Sequence, residues 1–148
     1  MSVLVDTNIL LRSVEPSHPQ HAVAVAAVSQ LLAESTPVYF TLQNIAEFWN
    51  VATRPIESNG LGLSIPSTLG EVEKIEGLLT LLPDTPAVYA EWKRIIVEHG
   101  VSGVKVHDAR LIATMKTHGV RSLLTFDVDD FARYTDIEVT HPKAVAVS

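Results

Sequence analysis

Short apolar runs that alternate with longer helical segments constrain the fold of this chain more than any other feature. The first run, Val-Leu-Val at 3–5, is β-branched and too short for a helix, so it predicts a buried strand. Four later runs have the same character and also predict strands. The five predicted strands are 3–5, 37–40, 81–82, 122–125 and 137–139.

Segments with helical periodicity separate these strands. Thr41 and the Thr85-Pro86 pair are typical of helix starts. Pro55 and Gly100 are typical of helix ends, and the last few residues predict a tail. Strands separated by helices indicate a three-layer α/β fold, in which a mainly parallel sheet of about five strands has helices on both faces. The predicted helices are 9–12, 21–33, 41–54, 66–79, 86–100 and 107–118.

Length and composition limit the class of protein. The 148 residues, 47% of them hydrophobic, predict one domain over 1–148. There is no cysteine, which excludes disulfides and thiolate metal sites, so oxygen or imidazole would have to bind any metal. No apolar run reaches the ~20 residues of a membrane span, and the first residues lack the basic region of a signal peptide. We therefore expect a cytoplasmic protein without a membrane partner.

The net charge of −6 is opposite to the basic surface typical of nucleic-acid-binding proteins. One interpretation is an acidic protein with no nucleic-acid role. The other is that several acids converge on one site, where divalent cations neutralise them. The positions of the acids decide between the two.

Several carboxylates are predicted to meet at one edge of the sheet. Asp6 directly follows the first strand and Asp127 the fourth, and the carboxyl ends of parallel strands share an edge. Asp108 opens the helix before the fourth strand, where an anion is favoured. Taken singly, Asp6 and Asp108 have a simpler explanation as helix caps. Together, hard oxygen ligands at one edge predict a Mg²⁺ or Mn²⁺ site.

Two further acidic positions leave alternatives open. Glu47 lies in the mostly apolar 41–54 helix and faces either solvent or a polar cleft. Asp129 and Asp130 follow Asp127 closely, so either Asp127 or Asp130 is the fourth acid of the site. For the aromatic side chain of Trp92, core packing is favoured over stacking on bases.

The ordered set of motifs resembles the PIN-domain family, and one stretch resembles VapC-like toxins in particular. The similarity extends from Val3 to about Pro142. The motifs that carry it are VDTN at 5–8, NIAEFWNV at 44–51, VATRP at 51–55, HDARLIA at 107–113 and TFD at 125–127.

The resemblance implies a fold, a chemistry and partners. It implies an acidic pocket that binds Mg²⁺ or Mn²⁺ and cleaves RNA endonucleolytically, with tRNA or ribosomal RNA as the usual target. It also implies a homodimer that a small VapB-like antitoxin inhibits. By motif position, Asp6, Asp108 and Asp127 match metal ligands. Glu47 matches the second catalytic acid, which would position or deprotonate the attacking water.

The residues near these acids also have expected roles. Thr125 matches a polar residue beside the site, and Asn8 is predicted to orient Asp6 through a hydrogen bond. Arg12 and Arg110 are the favoured contacts to the RNA backbone, because each is near a site acid in sequence. The number of metal ions is left open.

Other functions are weighed against this one. A phosphotransfer receiver would carry paired acids after its first strand, and a dehalogenase-type phosphatase would carry Asp-x-Asp, whereas Asp6 is followed by Thr7-Asn8. A PIN-like module that binds RNA or protein without cutting is the principal alternative. A nuclease directed at DNA is another, because acids and Mg²⁺ do not select RNA over DNA.

Overall fold

A computed structural model describes residues 1–146, which form one five-stranded parallel sheet between two layers of helices. The strand order β3-β2-β1-β4-β5 places β1 at the centre. This arrangement confirms the predicted three-layer α/β fold. The strands are β1 (Val3–Val5), β2 (Val38–Thr41), β3 (Thr80–Leu82), β4 (Ser122–Leu124) and β5 (Glu138–Thr140).

Seven α-helices and two short 3-10 helices connect and cover the strands within the described part of the chain. None of these helices is both long and apolar enough to cross a membrane. The 3-10 helices are Ile56–Ser58 and Val128–Phe131. The α-helices are α1 (Thr7–Ser13), α2 (His21–Ala33), α3 (Leu42–Thr53), α4 (Ile65–Leu78), α5 (Pro86–Glu98), α6 (Lys105–Thr117) and α7 (Pro142–Ala146).

The central strand β1 contributes to the hydrophobic cores on both faces of the sheet. Val3 and Val5 pack into one core cluster and Leu4 into the other, as the alternation of side chains along a strand requires. All three residues are buried because β1 is the central strand and core side chains cover it on both faces of the sheet. Residues 5 and 124 pair in register, so β1 and β4 end at the same edge.

Local signals fix the start of α3 beside the end of β2. The Thr41 hydroxyl accepts a hydrogen bond from the Asn44 amide, and the Asn44 side chain accepts one from the Thr41 amide. This reciprocal capping box satisfies two backbone donors at the helix start. It confirms Thr41 as the N-cap and places α3 at the same edge of the sheet as the end of β1.

Two boundaries differ from the predictions in ways that matter for the site. Helix α6 begins at Lys105 rather than at residue 107, because Gly103, in the left-handed region with φ +64°, ends the loop earlier. The predicted tail is wrong in part, since α7 forms and packs against α2, with Pro142 buried. Residues 147 and 148 lie outside the described residues.

Candidate active site

Asp6 is held by hydrogen bonds at the point where β1 becomes α1. One carboxylate oxygen accepts from the Thr7 amide at 2.7 Å and the other from the Thr125 hydroxyl at 2.8 Å. The Asp6 amide donates to the carbonyl of Leu124 at 2.9 Å, which ties the residue to the end of β4. Asp6 therefore does act as the N-cap of α1. Its carboxylate also accepts a hydrogen bond from Thr125 on the neighbouring strand's side, which a helix cap alone would not need.

Thr125, Asn8 and Asp127 extend this network. Thr125 is fully buried, and its hydroxyl accepts from the Asn8 side-chain amide at 3.2 Å and from the Asp127 backbone amide at 3.0 Å. Asn8 also donates to Asp127 Oδ2 at 3.1 Å. The prediction that Asn8 orients Asp6 directly is wrong. Thr125 occupies the second oxygen of Asp6, so Asn8 acts on Asp127 instead.

Glu47 reaches the same edge from α3. Its side chain is largely exposed, and Oε1 accepts from the Thr7 hydroxyl at 3.4 Å. The fully buried Asn44, one turn earlier, donates to the Thr7 hydroxyl at 3.1 Å. Sequence reasoning missed Thr7 and Asn44 as positioning residues. The three-residue spacing of Asn44 and Glu47 on one helix face was the available signal.

Asp108 lies in the first turn of α6 beside a lysine. The Lys105 ammonium is 3.8 Å from Asp108 Oδ2 and 3.0 Å from Asp130 Oδ1. Lys105 therefore lies between two acids of the predicted site. Gln43 of α3 donates to the His107 carbonyl at 2.8 Å, which fixes the start of α6 against α3.

The two candidates for the fourth acid therefore have different partners. Asp127 belongs to the network of Thr125 and Asn8 that also holds Asp6. Asp130 is paired with Lys105 near Asp108. The choice between them as a metal ligand stays a prediction, and the shared network favours Asp127.

The electrostatics indicate that these acids are near one another. Burial raises the pKa of Asp6 from 3.8 to about 6, hydrogen bonds from Thr125 and Thr7 oppose the rise, and the charges of Asp108 and Glu47 add to it. The pKa of Asp108 is also raised, by burial first, and then by acids that include Asp127, while Lys105 lowers it. All four predicted catalytic acids thus belong to one electrostatic cluster.

A PIN domain family model matches residues 3–137. The chain belongs to the PIN domain family. The match spans most of the chain, including the four acids of the edge. No curated protein matches by sequence.

Solved structures share this PIN fold over nearly the whole chain. VapBC-1 from nontypeable Haemophilus influenzae is 14% identical, with 97% of this chain and 99% of that chain covered and a TM-score of 0.70. Mycobacterium tuberculosis VapC20, a sarcin–ricin loop cleaving toxin, is 18% identical over 88% and 94% of the two chains, with a TM-score of 0.66. FitAcB from Neisseria gonorrhoeae is 27% identical over 95% and 98%, with a TM-score of 0.59. The predicted resemblance to VapC-like PIN proteins is confirmed.

The acidic edge of this PIN domain fits a hard divalent cation in charge and donor type. Its ligating atoms are carboxylate oxygens, and the raised pKa values of Asp6 and Asp108 include mutual repulsion that a cation would relieve. Within residues 1–146, no group of three or more His, Cys, Asp or Glu side chains stands in position to hold an ion. The fit therefore rests on chemistry and charge and not on a preformed three-ligand shell.

The two arginines predicted to contact RNA are both engaged within the protein. Arg12 pairs with Glu15 three residues away on the chain. Arg110 Nη2 lies 2.6 Å from Asp84 Oδ2. Each arginine therefore already has an acidic partner within the protein, and its predicted contact to the RNA backbone stays a prediction.

Proposed function

We propose that this PIN domain is a metal-dependent endoribonuclease and the toxin of a VapBC-type toxin–antitoxin pair. The observation that carries the proposal is the hydrogen-bonded network joining Asp6, Thr125, Asn8 and Asp127. It brings acids from separate parts of the chain to one sheet edge, next to Asp108. Carboxylates that repel one another at one site favour a bound divalent cation, and such a cation is what metal-assisted phosphodiester hydrolysis uses.

Asp6, Asp108 and Asp127 would hold Mg²⁺ or Mn²⁺. When bound, the ion supplies a water of lowered pKa and positive charge beside the phosphoryl oxygens. Thr125 and the Thr7 amide hold the Asp6 carboxylate in a fixed orientation, and Asn8 does the same for Asp127. These bonds fix the ligands before the ion arrives, which lowers the cost of ordering them.

Glu47 is the residue that we propose for the proton transfer. Its carboxylate is exposed at the edge and receives the Thr7 hydroxyl, which Asn44 in turn holds. From there Glu47 positions the attacking water and accepts its proton. Lys105 contributes a positive charge close to Asp108 and offsets part of the repulsion that incoming RNA would meet.

A VapB-like antitoxin is the proposed partner. The similar structures include VapBC complexes, among them one from Rickettsia felis bound to a DNA fragment from their promoter. For this chain we propose an antitoxin that covers the acidic edge, a homodimeric toxin and a cytoplasmic location. Co-expression with the product of a neighbouring small gene, followed by copurification, tests the partner directly.

The central experiment uses purified protein free of any bound partner. Total cellular RNA is incubated with Mg²⁺ or Mn²⁺, with EDTA, and with the Asp108→Asn variant. Discrete fragments that require both the metal and Asp108 are the expected result, and their ends identify the target. Single-stranded DNA in the same buffer separates an RNase from a DNA-directed nuclease.

A second candidate is a PIN module that binds RNA or protein without cutting. What favours it is the position of Lys105, which pairs with Asp130 beside Asp108, in a cluster without a three-ligand group among residues 1–146. Titration with Mn²⁺ discriminates between the two. If wild-type protein neither binds Mn²⁺ nor cuts RNA, the nuclease proposal is wrong and the binding module replaces it.

A further inference from the structure

A cavity of about 420 Å³ opens beside the start of α6, and His107, which precedes Asp108 in the chain, is one of its lining residues. Its walls come from α5, from α6 and from the residues between β3 and α5. His107 and Arg110 are three residues apart, so they face the cavity from one side of α6, while Asp108 is turned by about 100°. Its main lining side chains are Asp84, Val88, Tyr89, Trp92, His107 and Arg110.

One wall of this cavity is aromatic. The Tyr89 side chain is 64% exposed, although it is large and apolar. Trp92 lies one turn further along α5, and its indole N–H donates to the Val106 carbonyl at 2.8 Å, which fixes the ring. The two ring centroids are 6.3 Å apart with planes inclined by 31°. Core packing was predicted for Trp92, but its ring packs against the core on one side and lines the cavity on the other.

The lining also includes a polar pair, Asp84 and Arg110, which carries both donors and acceptors. Asp84 and Arg110 form an ion pair at 2.6 Å, and both side chains remain partly exposed. A single contact between them leaves the second Asp84 oxygen and further N–H groups of Arg110 for other partners. A flat, partly polar ligand would find both an aromatic surface and hydrogen-bonding groups in this cavity.

We propose that this cavity binds an unpaired nucleobase of single-stranded RNA next to the phosphate that is cut. This inference rests on the proposed function, because it assumes that Asp108 belongs to the site where RNA is cut. The base stacks on Tyr89, Trp92 forms the rigid wall, and Asp84 with Arg110 contacts the edge of the base. A base in a duplex has no free face or edge, so the cavity selects loops and single strands.

RNA binding is measured in the Asp108→Asn background with Mg²⁺, where the RNA stays intact. The probe is a fluorescein-labelled unstructured RNA of about 12 nucleotides, alone or annealed to its complement, and the readout is anisotropy. Tyr89→Ala is expected to weaken single-strand binding by about tenfold, since stacking on an aromatic ring contributes that much per base. Tyr89→Phe keeps the ring and should bind as the parent does. Val97→Ala, an exposed position further along α5, is the matched control.

A second readout reports on the cavity itself. The chain has two tryptophans, so Trp49→Phe leaves Trp92 as the single fluorophore. Its emission should change on addition of the single strand and not of the duplex. A purely structural role for the aromatic wall would give no such change.

Three results would overturn the proposal. They are equal binding by Tyr89→Ala and its parent, no preference for the single strand, and no RNA binding at all. If Tyr89→Ala changes sedimentation but not RNA affinity, the surface is a protein interface and the proposal is again wrong. Cleavage is assayed separately with Asp108 intact. Binding that depends on Tyr89 in a protein that never cuts would therefore refute the reaction and leave the base-binding cavity standing.

Discussion

Replacing Asp6 with asparagine should stabilise the metal-free protein while abolishing cleavage. In the folded state the pKa of Asp6 is about 6, against 3.8 for an ordinary aspartate. Each pKa unit corresponds to 1.36 kcal/mol, so at neutral pH the ionised carboxylate costs the fold up to about 3 kcal/mol. Asparagine carries no charge and avoids this cost.

Part of this gain in unfolding free energy is lost because asparagine fits the hydrogen-bond network less well than aspartate does. The Thr7 amide can still donate to an asparagine oxygen, but the amide nitrogen would face the Thr125 hydroxyl, which already accepts from Asn8 and Asp127. One poorly satisfied bond of this kind costs about 1 kcal/mol. The expected net gain is about 2 kcal/mol, or a Tm higher by roughly 5 °C for a chain of this size.

The pH dependence of the stability difference shows whether the ionisation of Asp6 causes it. Because the folded pKa of Asp6 is raised, its ionisation destabilises the fold as pH rises from about 4 to 6. Asp6→Asn should therefore gain little at pH 4 and the full amount at pH 7.5. Urea denaturation in EDTA at several pH values measures this, with the exposed Asp129→Asn as the control for net charge. A difference that does not change with pH, or a less stable variant at pH 7.5, would refute the reasoning.

Three further substitutions test other parts of the site. Lys105→Gln removes a cation near Asp108 and should tighten Mn²⁺ binding about fivefold by calorimetry; weaker binding would show that Lys105 does not compete with the metal. Asn44→Ala removes a buried side chain with bonds to Thr41 and Thr7 and should cost about 2–3 kcal/mol of unfolding free energy in urea; an unchanged midpoint would contradict this. Glu47→Gln should keep wild-type stability and lose about 100-fold in cleavage rate on a defined RNA, and full activity would remove Glu47 from proton transfer.

The sequence was most informative where local and long-range signals agreed. The apolar run at 3–5 predicted a buried strand. The aspartate that follows it, Asp6, predicted that the end of this strand would be polar. Parallel topology then implied that Asp6 and Asp127 would share that edge, and β1 does pair with β4. The capping signal at Thr41 predicted the start of α3 correctly because the bonds involved are between residues only three apart.

Contacts between distant side chains could not be predicted in the same way. The Thr125 hydroxyl can donate only one proton, and only the folded geometry shows that Asp6 receives it while Asn8 serves Asp127. The ion pair of Arg110 depends on Asp84, 26 residues earlier in the chain, so the position of Arg110 near Asp108 in sequence did not reveal it. In both cases the partners are far apart in the chain, so no local sequence pattern predicts the contact.

The pairing of β1 with β4 also has a consequence for the order of events during synthesis. Residue 3 pairs with residue 122, so the central strand lacks one neighbour until the residues of β4 have been made. Asp6 is made long before Thr125, which lies 119 residues later in the chain. Since chains are made from the N-terminus, a copy that has not yet reached residue 127 cannot assemble the acidic edge. For a protein proposed to cut RNA, this topology delays activity until residue 127 has been made and can fold.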